Sequence, residues 1–356
     1  MKKIFLSILI ASNLYPCIGI SIKSNENAYL QARTIEYGES NLNSKLIIVP
    51  KNHSFNSLLP NTKETGISWK SKYNFVGISV INERFIAEGL NEAGLNAGFF
   101  YFPNYGSLEK YNKKYKSKSL VDLQLVSYIL SNFKSVEEVK QNIKNLKIVN
   151  IAYDKNNNAL PTAHFRVADS TGANIVIEII ENGKIMIYEN KVGVITNSPD
   201  YPWHIKNLNN YVNLRAGNAN NFNVNNQEIS SFGAGTAALG LPGDITPPSR
   251  FVRAFFYLKT MPKLNTKDSI FTAFHILNNF DIPIGVEFSN EHKEYIPKDI
   301  LSATQWSSLS DLSNLEFYYK TMNDFSIKRV DLKNISFKEY KIINLNEEKQ
   351  INDIKI

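Results

Sequence analysis

The sequence predicts an α+β sandwich in four layers, two β-sheets face to face with a layer of helices on each outer side. Three observations lead there. Segments of period two and segments of period 3.6 come in the order strands, two helices, strands, two helices, strands. The strand candidates alternate so that one face of each is apolar, which suits sheets packed on one another or on helices. The 356 residues are 43% hydrophobic and 21% charged, without a Pro/Gly/Ser linker or a change of composition, which favours one domain.

The elements follow in order. Met1-Lys2-Lys3 and the short apolar run Ile4 to Ala11 have the charged and apolar regions of a secretory signal. Residues 1–16 are therefore read as a leader, and the chain as exported, periplasmic or secreted. That run is too short to span a bilayer, and no later stretch is long and apolar enough for a stable membrane anchor. Cys17 to Lys23 alternates as a half-buried strand does. Ser24 to Asn27 is a turn, and Ala28 to Arg33 reads as the returning strand of a hairpin, with the chain turning near Glu36.

Lys45 to Pro50, Tyr73 to Ile81, Arg84 to Glu88 and Leu95 to Phe102 are further strands, with turn chemistry over Gly89 to Gly94. Ser119 to Phe133 carries an apolar stripe at helical spacing. Ser135-Val136-Glu137-Glu138 has the form of a capping box that starts a second helix. His164 to Ala168, Asn174 to Ile180 and Lys184 to Glu189 are strands, and Pro202 to Tyr211 a short helix. The Asn- and Gly-rich stretch Asn218 to Gly243 reads as loop. Ser249, as an N-cap, opens a helix to Met261, and Thr266 to Phe280 is its partner. Ala303 to Ser308, Glu316 to Lys320 and Ser326 to Asp331 are the closing strands. Residues 17–338 form the domain, and 339–356 read as a polar tail that frays.

Formal net charge is +7, with lysines scattered rather than gathered on one face. No zinc-knuckle spacing or aromatic-basic strand motif points to nucleic acid, so a solvated surface is the reading. The single cysteine, Cys17, excludes an intramolecular disulfide.

That cysteine is also the candidate nucleophile. If the leader is removed before it, Cys17 carries its own base: an α-amine titrates near 7.7–8.0 and a thiol near 8.5, and activation by an N-terminal amine is an established device. Arg33, on the returning strand, would favour the thiolate, and Glu36 would orient the amine. Other readings are a buried structural cysteine, a surface ion pair of Arg33 and Glu36, and a lipoprotein cysteine. Leu14-Tyr15-Pro16 lacks the small residues a lipobox needs, and the same lack leaves the cut before Cys17 without a clear protease signal.

Several motifs together resemble the choloylglycine hydrolase family, the Ntn-hydrolase group that includes conjugated bile salt hydrolases and penicillin V acylases. They are Asn91-Glu92-Ala93-Gly94-Leu95; Gly193 to Pro199 with Trp203 and Asn207 to Tyr211; Gly240 to Asp244; Pro248 to Arg253; and His275 to Asn279. The resemblance runs from Cys17 to about Asp331. It implies the αββα sandwich of Ntn-hydrolases, no cofactor, no metal, and a homo-oligomer, a tetramer.

It also implies roles. Cys17 is nucleophile and, through its amine, base; Arg33 holds the sulfur and Glu36 the amine; Asn197 donates to the oxyanion; Arg250 stabilises the site. Tyr101 falls where bile salt hydrolases tend to have Asn and penicillin acylases Tyr. It directs the expectation to an exported cysteine amidase acting on penicillin V or an N-acyl homoserine lactone, a small-molecule amide with an apolar acyl group. The alternatives are a conjugated bile salt hydrolase, or a non-catalytic exported binding protein if Cys17 is not freed. Ile18 stands where the family usually has Thr, and Glu36 where many members have Asp.

Overall fold

The structure is a computed structural model that describes residues 17–60, 62–153, 162–286, 299–345 and 349; residues 1–16, read above as a leader, lie outside them. Fourteen strands make the two large sheets. In chain order they are β1 (Ile18–Lys23), β2 (Tyr29–Glu36), β3 (Lys45–Val49), β4 (Phe75–Val80), β5 (Asn82–Asn91), β6 (Asn96–Tyr101), β7 (Ala163–Ala168), β8 (Asn174–Ile180), β9 (Lys184–Glu189), β10 (Val194–Ile195), β11 (Thr304–Asp311), β12 (Glu316–Thr321), β13 (Lys328–Asp331) and β14 (Lys341–Asn344). The α-helices are α1 (Leu125–Asn132), α2 (Val136–Asn142), α3 (Tyr201–Asn207), α4 (Pro247–Thr260) and α5 (Thr266–Asn278).

One sheet has the order β10-β1-β2-β11-β12-β13 and the other β9-β8-β7-β6-β5-β4-β3-β14. The pairings within both are antiparallel. Helices α4 and α5 pack on the first sheet and α1 on β5 and β6 of the second, which gives the four layers expected. The alternation of β1 shows why. Ile18, Ile20 and Ile22 are buried on one face. Gly19 is on the other, where an added Cβ would lie 2.7 Å from Arg166 and 2.8 Å from Phe100 of the second sheet.

The structure departs from the sequence reading in five places. The stretch Ser119 to Phe133 is helical only from Asp122: Ser119–Val121 is a short strand parallel to Lys147–Val149. A buried strand and a buried helix face are equally apolar, so Leu120 fitted the helical stripe. Strand β5 runs on through Gly89 and Leu90, and the turn is confined to Asn91 to Leu95, where the Asn91 side chain accepts from Ala93 and Leu95. Strand β2 extends past Arg33, so Glu36 is in the sheet and not on a turn. The N-cap of α4 is Thr246, because Pro247 and Pro248 occupy the first turn, where a missing N–H costs nothing. In the stretch read as loop, Phe222–Val224 pairs with Gln227–Ile229 as an exposed hairpin.

The tail also behaves differently. Strand β14 pairs along β3 from Lys341–Ile48 to Asn344–Lys45, Leu345 is buried, and Tyr340 stacks on His53 at 4.4 Å. Isolated in sequence, four residues so close to a charged end give little strand signal; the exposed edge of β3 is what orders them. Removing residues 339–356 should uncover that edge. The expected outcome is a melting temperature lower by a few degrees, equivalent to about 1–2 kcal/mol, with faster aggregation, read by thermal unfolding and light scattering.

Candidate active site

Strand register assembles the site. Strand β10 pairs Val194 with Ile20 and Ile195 with Gly19. Two more steps along that register put Asn197 across from Cys17, and the Cys17 backbone N–H donates to Asn197 Oδ1 at 2.7 Å. On the other side, β2 pairs Arg33 with Gly19 and Thr34 with Ile18. Arg33 therefore shares the inter-sheet face of β1 with the odd-numbered residues, diagonal to Cys17. Across β2, β11 carries an irregularity between Thr304 and Trp306, which places Thr304 against Glu36. The Thr304 hydroxyl donates to Glu36 Oε1 at 3.2 Å.

The Asn197 carboxamide has one chemically sensible orientation. Its Oδ1 accepts from Cys17 and from Arg250 Nη2 at 2.8 Å, and its Nδ2 donates to the Tyr101 carbonyl at 2.8 Å. Turned over, it would press an NH2 group on a guanidinium. The second Nδ2 hydrogen remains as a donor. Arg250 also donates through Nη1 to the Cys17 carbonyl and through Nε to Ile245 O at 2.8 Å, so one guanidinium ties α4 to Cys17 and to the Asn197 loop. Arg33 donates through Nη1 to Ala87 O (3.0 Å) and Phe99 O (2.7 Å), and through Nε to Thr34 O (3.1 Å). Its Nη2 has no hydrogen-bond partner among the described residues.

The four residues expected around Cys17, namely Arg33, Glu36, Asn197 and Arg250, are thus brought together with it, and all five are buried. Tyr101 joins them by its backbone; its phenol is partly buried, and burial, with Tyr37 and Glu39 nearby, pushes it up. For Cys17, burial pushes the thiol up, Arg33 pulls back most, the Glu36 charge adds to the rise, and the Glu36 backbone N–H and Arg250 lower it. Burial pushes the Glu36 carboxyl up to about 8, against the pull of Arg250 and Arg33. Among the described residues, no group of His, Cys, Asp and Glu is placed to hold a metal, and no helix is long and apolar enough to cross a membrane.

Sequence reasoning missed the support of the Asn197 loop. Two histidines hold consecutive carbonyls: His164 Nε2 lies 2.8 Å from Thr196 O and His204 Nε2 lies 3.0 Å from Asn197 O. An acceptor at each position assigns the proton to Nε2. Each ring is stacked, His164 on Phe102 at 4.3 Å and His204 on Phe251 at 4.6 Å. Burial pushes His204 down to about 4, so it stays neutral at physiological pH. Glu178 Oε1 accepts from Tyr201 N at 2.7 Å, which fixes the start of α3 behind the loop. His204 is the fourth residue of a short helix and His164 lies on an ordinary strand, so neither has a motif to mark it.

The Glu36 carboxyl gives a pH test. With a folded-state value near 8 against the ordinary 4.5, the folded chain keeps a proton that the unfolded chain loses. Stability from this group is full below pH 4.5 and is lost as pH rises through 8. In a Cys17→Ser chain that retains residue 16, so that no α-ammonium forms, Glu36→Gln should raise the melting temperature progressively from pH 5 to 8. Parallel melting curves across that range would remove the assignment.

With this geometry described, the chain can be compared with known proteins. Residues 17–349 match the profile of the linear amide C–N hydrolases, choloylglycine hydrolase family. A bile salt hydrolase/transferase of Clostridium perfringens is 34% identical over 95% of this chain and 99% of its own length. A penicillin V acylase of Pectobacterium atrosepticum is 26% identical, over 76% of this chain and 69% of its own length. A crystal structure of the conjugated bile acid hydrolase from Clostridium perfringens superposes with a TM-score of 0.79 and 32% identity, over 95% of this chain and 100% of that one. Structure of the penicillin V acylase from Agrobacterium tumefaciens superposes at 0.72 with 21% identity, covering 94% and 93%, a likeness of fold. The chain belongs to the choloylglycine hydrolase family of linear amide C–N hydrolases.

Proposed function

We propose that the chain, cut before Cys17, hydrolyses a linear amide with an apolar acyl group through a Cys17 thioester. The observation that carries this is the convergence of Asn197 and Arg250 on Cys17, with an unpaired Arg33 nitrogen in the same buried region. In the cut chain the α-amine accepts the thiol proton and the sulfur attacks the acyl carbon. The remaining Asn197 Nδ2 hydrogen is aligned to donate to the oxyanion. The C–N bond then breaks as the α-ammonium returns its proton to the leaving amine. Water, deprotonated by the α-amine, attacks the thioester, releasing the acid and restoring the thiol. Glu36, whose Oε2 has no hydrogen-bond partner among the described residues, is the acceptor assigned to the α-ammonium.

For the substrate, Tyr101, the residue type that penicillin acylases tend to have at this position, supports penicillin V or an N-acyl homoserine lactone. A conjugated bile salt is the second reading, favoured by the more similar relatives. Export rests on the leader pattern of Met1 to Ala11. Self-association into a tetramer is supported by apolar side chains exposed on and beside the hairpin, Phe222, Val224, Ile229 and Phe232.

Cys17→Ser should lower amide hydrolysis by at least about 10³ while leaving the melting curve intact; unchanged turnover would sink the mechanism. Asn197→Ala should cost on the order of 10²–10³ in kcat. A release assay on penicillin V, acyl homoserine lactones and glycocholate, together with intact mass, is the deciding experiment. A chain that starts at Cys17 and releases acid from one of these supports the reading. A chain retaining Tyr15-Pro16 and inert on all three would make it a binding protein.

A further inference from the structure

Behind the nucleophile, between the two sheets, lies a buried ionic cluster that joins Arg33 to two residues the proposed mechanism does not use, Glu88 and Arg166. It consists of Arg33, Glu88 and Arg166, all at most 1% exposed. Glu88 Oε1 accepts from Arg166 Nη2 at 2.9 Å and from Asn96 Nδ2 at 2.7 Å, and its Oε2 lies 3.7 Å from Arg33 Nη1. Arg166 crosses from β7 to the other sheet, where Nη1 donates to Ala32 O (3.1 Å) and Ile20 O (3.3 Å). The guanidinium carbons of Arg33 and Arg166 lie 4.3 and 5.6 Å from the centre of the Phe100 ring.

The backbone is shaped around this cluster. The register between β5 and β6 ends at Glu88 and Gly98, and Arg33 Nη1 takes the carbonyls of the next residues, Ala87 and Phe99. An added Cβ at Gly98 would lie 1.8 Å from Glu88 Oε2, and one at Gly19 would lie 2.7 Å from Arg166 Nη1. Buried charge is costly unless paired and hydrogen-bonded. Here two cations face one carboxylate, leaving one positive charge over within the cluster, and the Arg33 Nη2 hydrogens have no partner among the described residues.

We infer that Glu88 and Arg166 are positioning residues for the nucleophile: they hold the Arg33 guanidinium in the gap between β5 and β6, and with it form a net +1 cluster that the Cys17 thiolate neutralises. This rests on the reading of Cys17 as nucleophile and extends it to two residues on the opposite sheet. Glu88 balances only one of the two arginines, so Arg33 stays available to the sulfur. Arg166, bonded to the backbone at Ile20 and Ala32, sets the height of β1 and β2 over the carboxylate. Of the cluster, Arg33 is the group that acts on the thiol directly; the other charged groups acting on it are Glu36 from β2 and Arg250 from α4. Asn96 of β6 donates through Nδ2 both to Glu88 Oε1 and to the Ser310 hydroxyl of β11, which ties the carboxylate to the first sheet.

The charges make predictions of opposite sign, which a purely structural role does not. Removing the carboxylate leaves the cluster more positive and favours the thiolate; removing an arginine charge does the reverse. The test is the pH dependence of Cys17 alkylation by iodoacetamide on the purified protein, a readout that does not depend on finding the substrate. Glu88→Gln should move the midpoint down, and Arg166→Gln should move it up, each by roughly one unit, or about tenfold in alkylation rate below the midpoint. Shifts of the same sign, or no shift in either, overturn the proposal.

If either Gln variant fails to melt cooperatively, Glu88→Asp and Arg166→Lys are read instead. They keep charge and alter reach. The proposal then requires an unmoved midpoint and, on whichever amide the protein cleaves, a kcat about tenfold lower at unchanged KM. A raised KM with kcat preserved overturns it. Failure of every amide substrate would count against the proposed function while leaving the alkylation result to stand for the cluster.

Discussion

Three guanidinium groups are buried near one thiol, and the architecture has to satisfy them without water. Arg33, Arg166 and Arg250 are at most 1% exposed. Each finds backbone carbonyls: Thr34, Ala87 and Phe99 for Arg33, Ile20 and Ala32 for Arg166, Cys17 and Ile245 for Arg250. Carbonyls are poor partners for a mobile ion but good ones for a fixed fork of N–H groups. They must then be offered by strands whose ladders stop at the right residue. The end of the β5–β6 pairing at Gly98, the glycine at position 19 and the start of α4 just before Arg250 are all parts of that solution. Displacing one sheet along the other would strand several buried donors at once, so the ionic layer fixes sheet-to-sheet alignment, which apolar packing leaves loosely specified.

Much of this was legible in the chain itself. Alternation located the strands of both sheets, and Ser135 caps α2 as its motif indicated, accepting from Glu138 N at 3.2 Å. The Glu138 carboxylate, however, reaches Lys134 N rather than closing the box on Ser135. Asn197 and Arg250 were accessible because they sit in recognisable motifs, and Cys17, Arg33 and Glu36 because the single cysteine follows a leader-like run and opens a hairpin. The boundaries that failed did so for local reasons. Leu120 is apolar in a strand as it would be in a helix, and Ser249 resembles a cap until Pro247 and Pro248 claim the first turn.

Glu88, Arg166, His164 and His204 were illegible for a different reason. Glu88, Arg166 and His164 act across an interface between elements distant in sequence, such as the 134 residues between Ala32 and Arg166, and His204, though only seven residues from Asn197, reaches a backbone carbonyl that no side chain marks. No spacing rule within a strand or helix reports such a partner. The choice of a neutral imidazole at 204 follows from its neighbours. Burial disfavours charge there, and Arg250 and His164 add to that preference, so the ring donates one hydrogen bond without adding a further cation.

Position 101 divides its labour between backbone and side chain. The carbonyl of Tyr101 takes the Asn197 amide hydrogen, while the phenol lies elsewhere, beside Tyr37 and Glu39. Every amino acid supplies that carbonyl. A substitution at this position therefore changes the side chain beside Tyr37 and Glu39 while the Asn197 loop keeps its anchor, so the surroundings of the phenol and the geometry of the loop can vary independently.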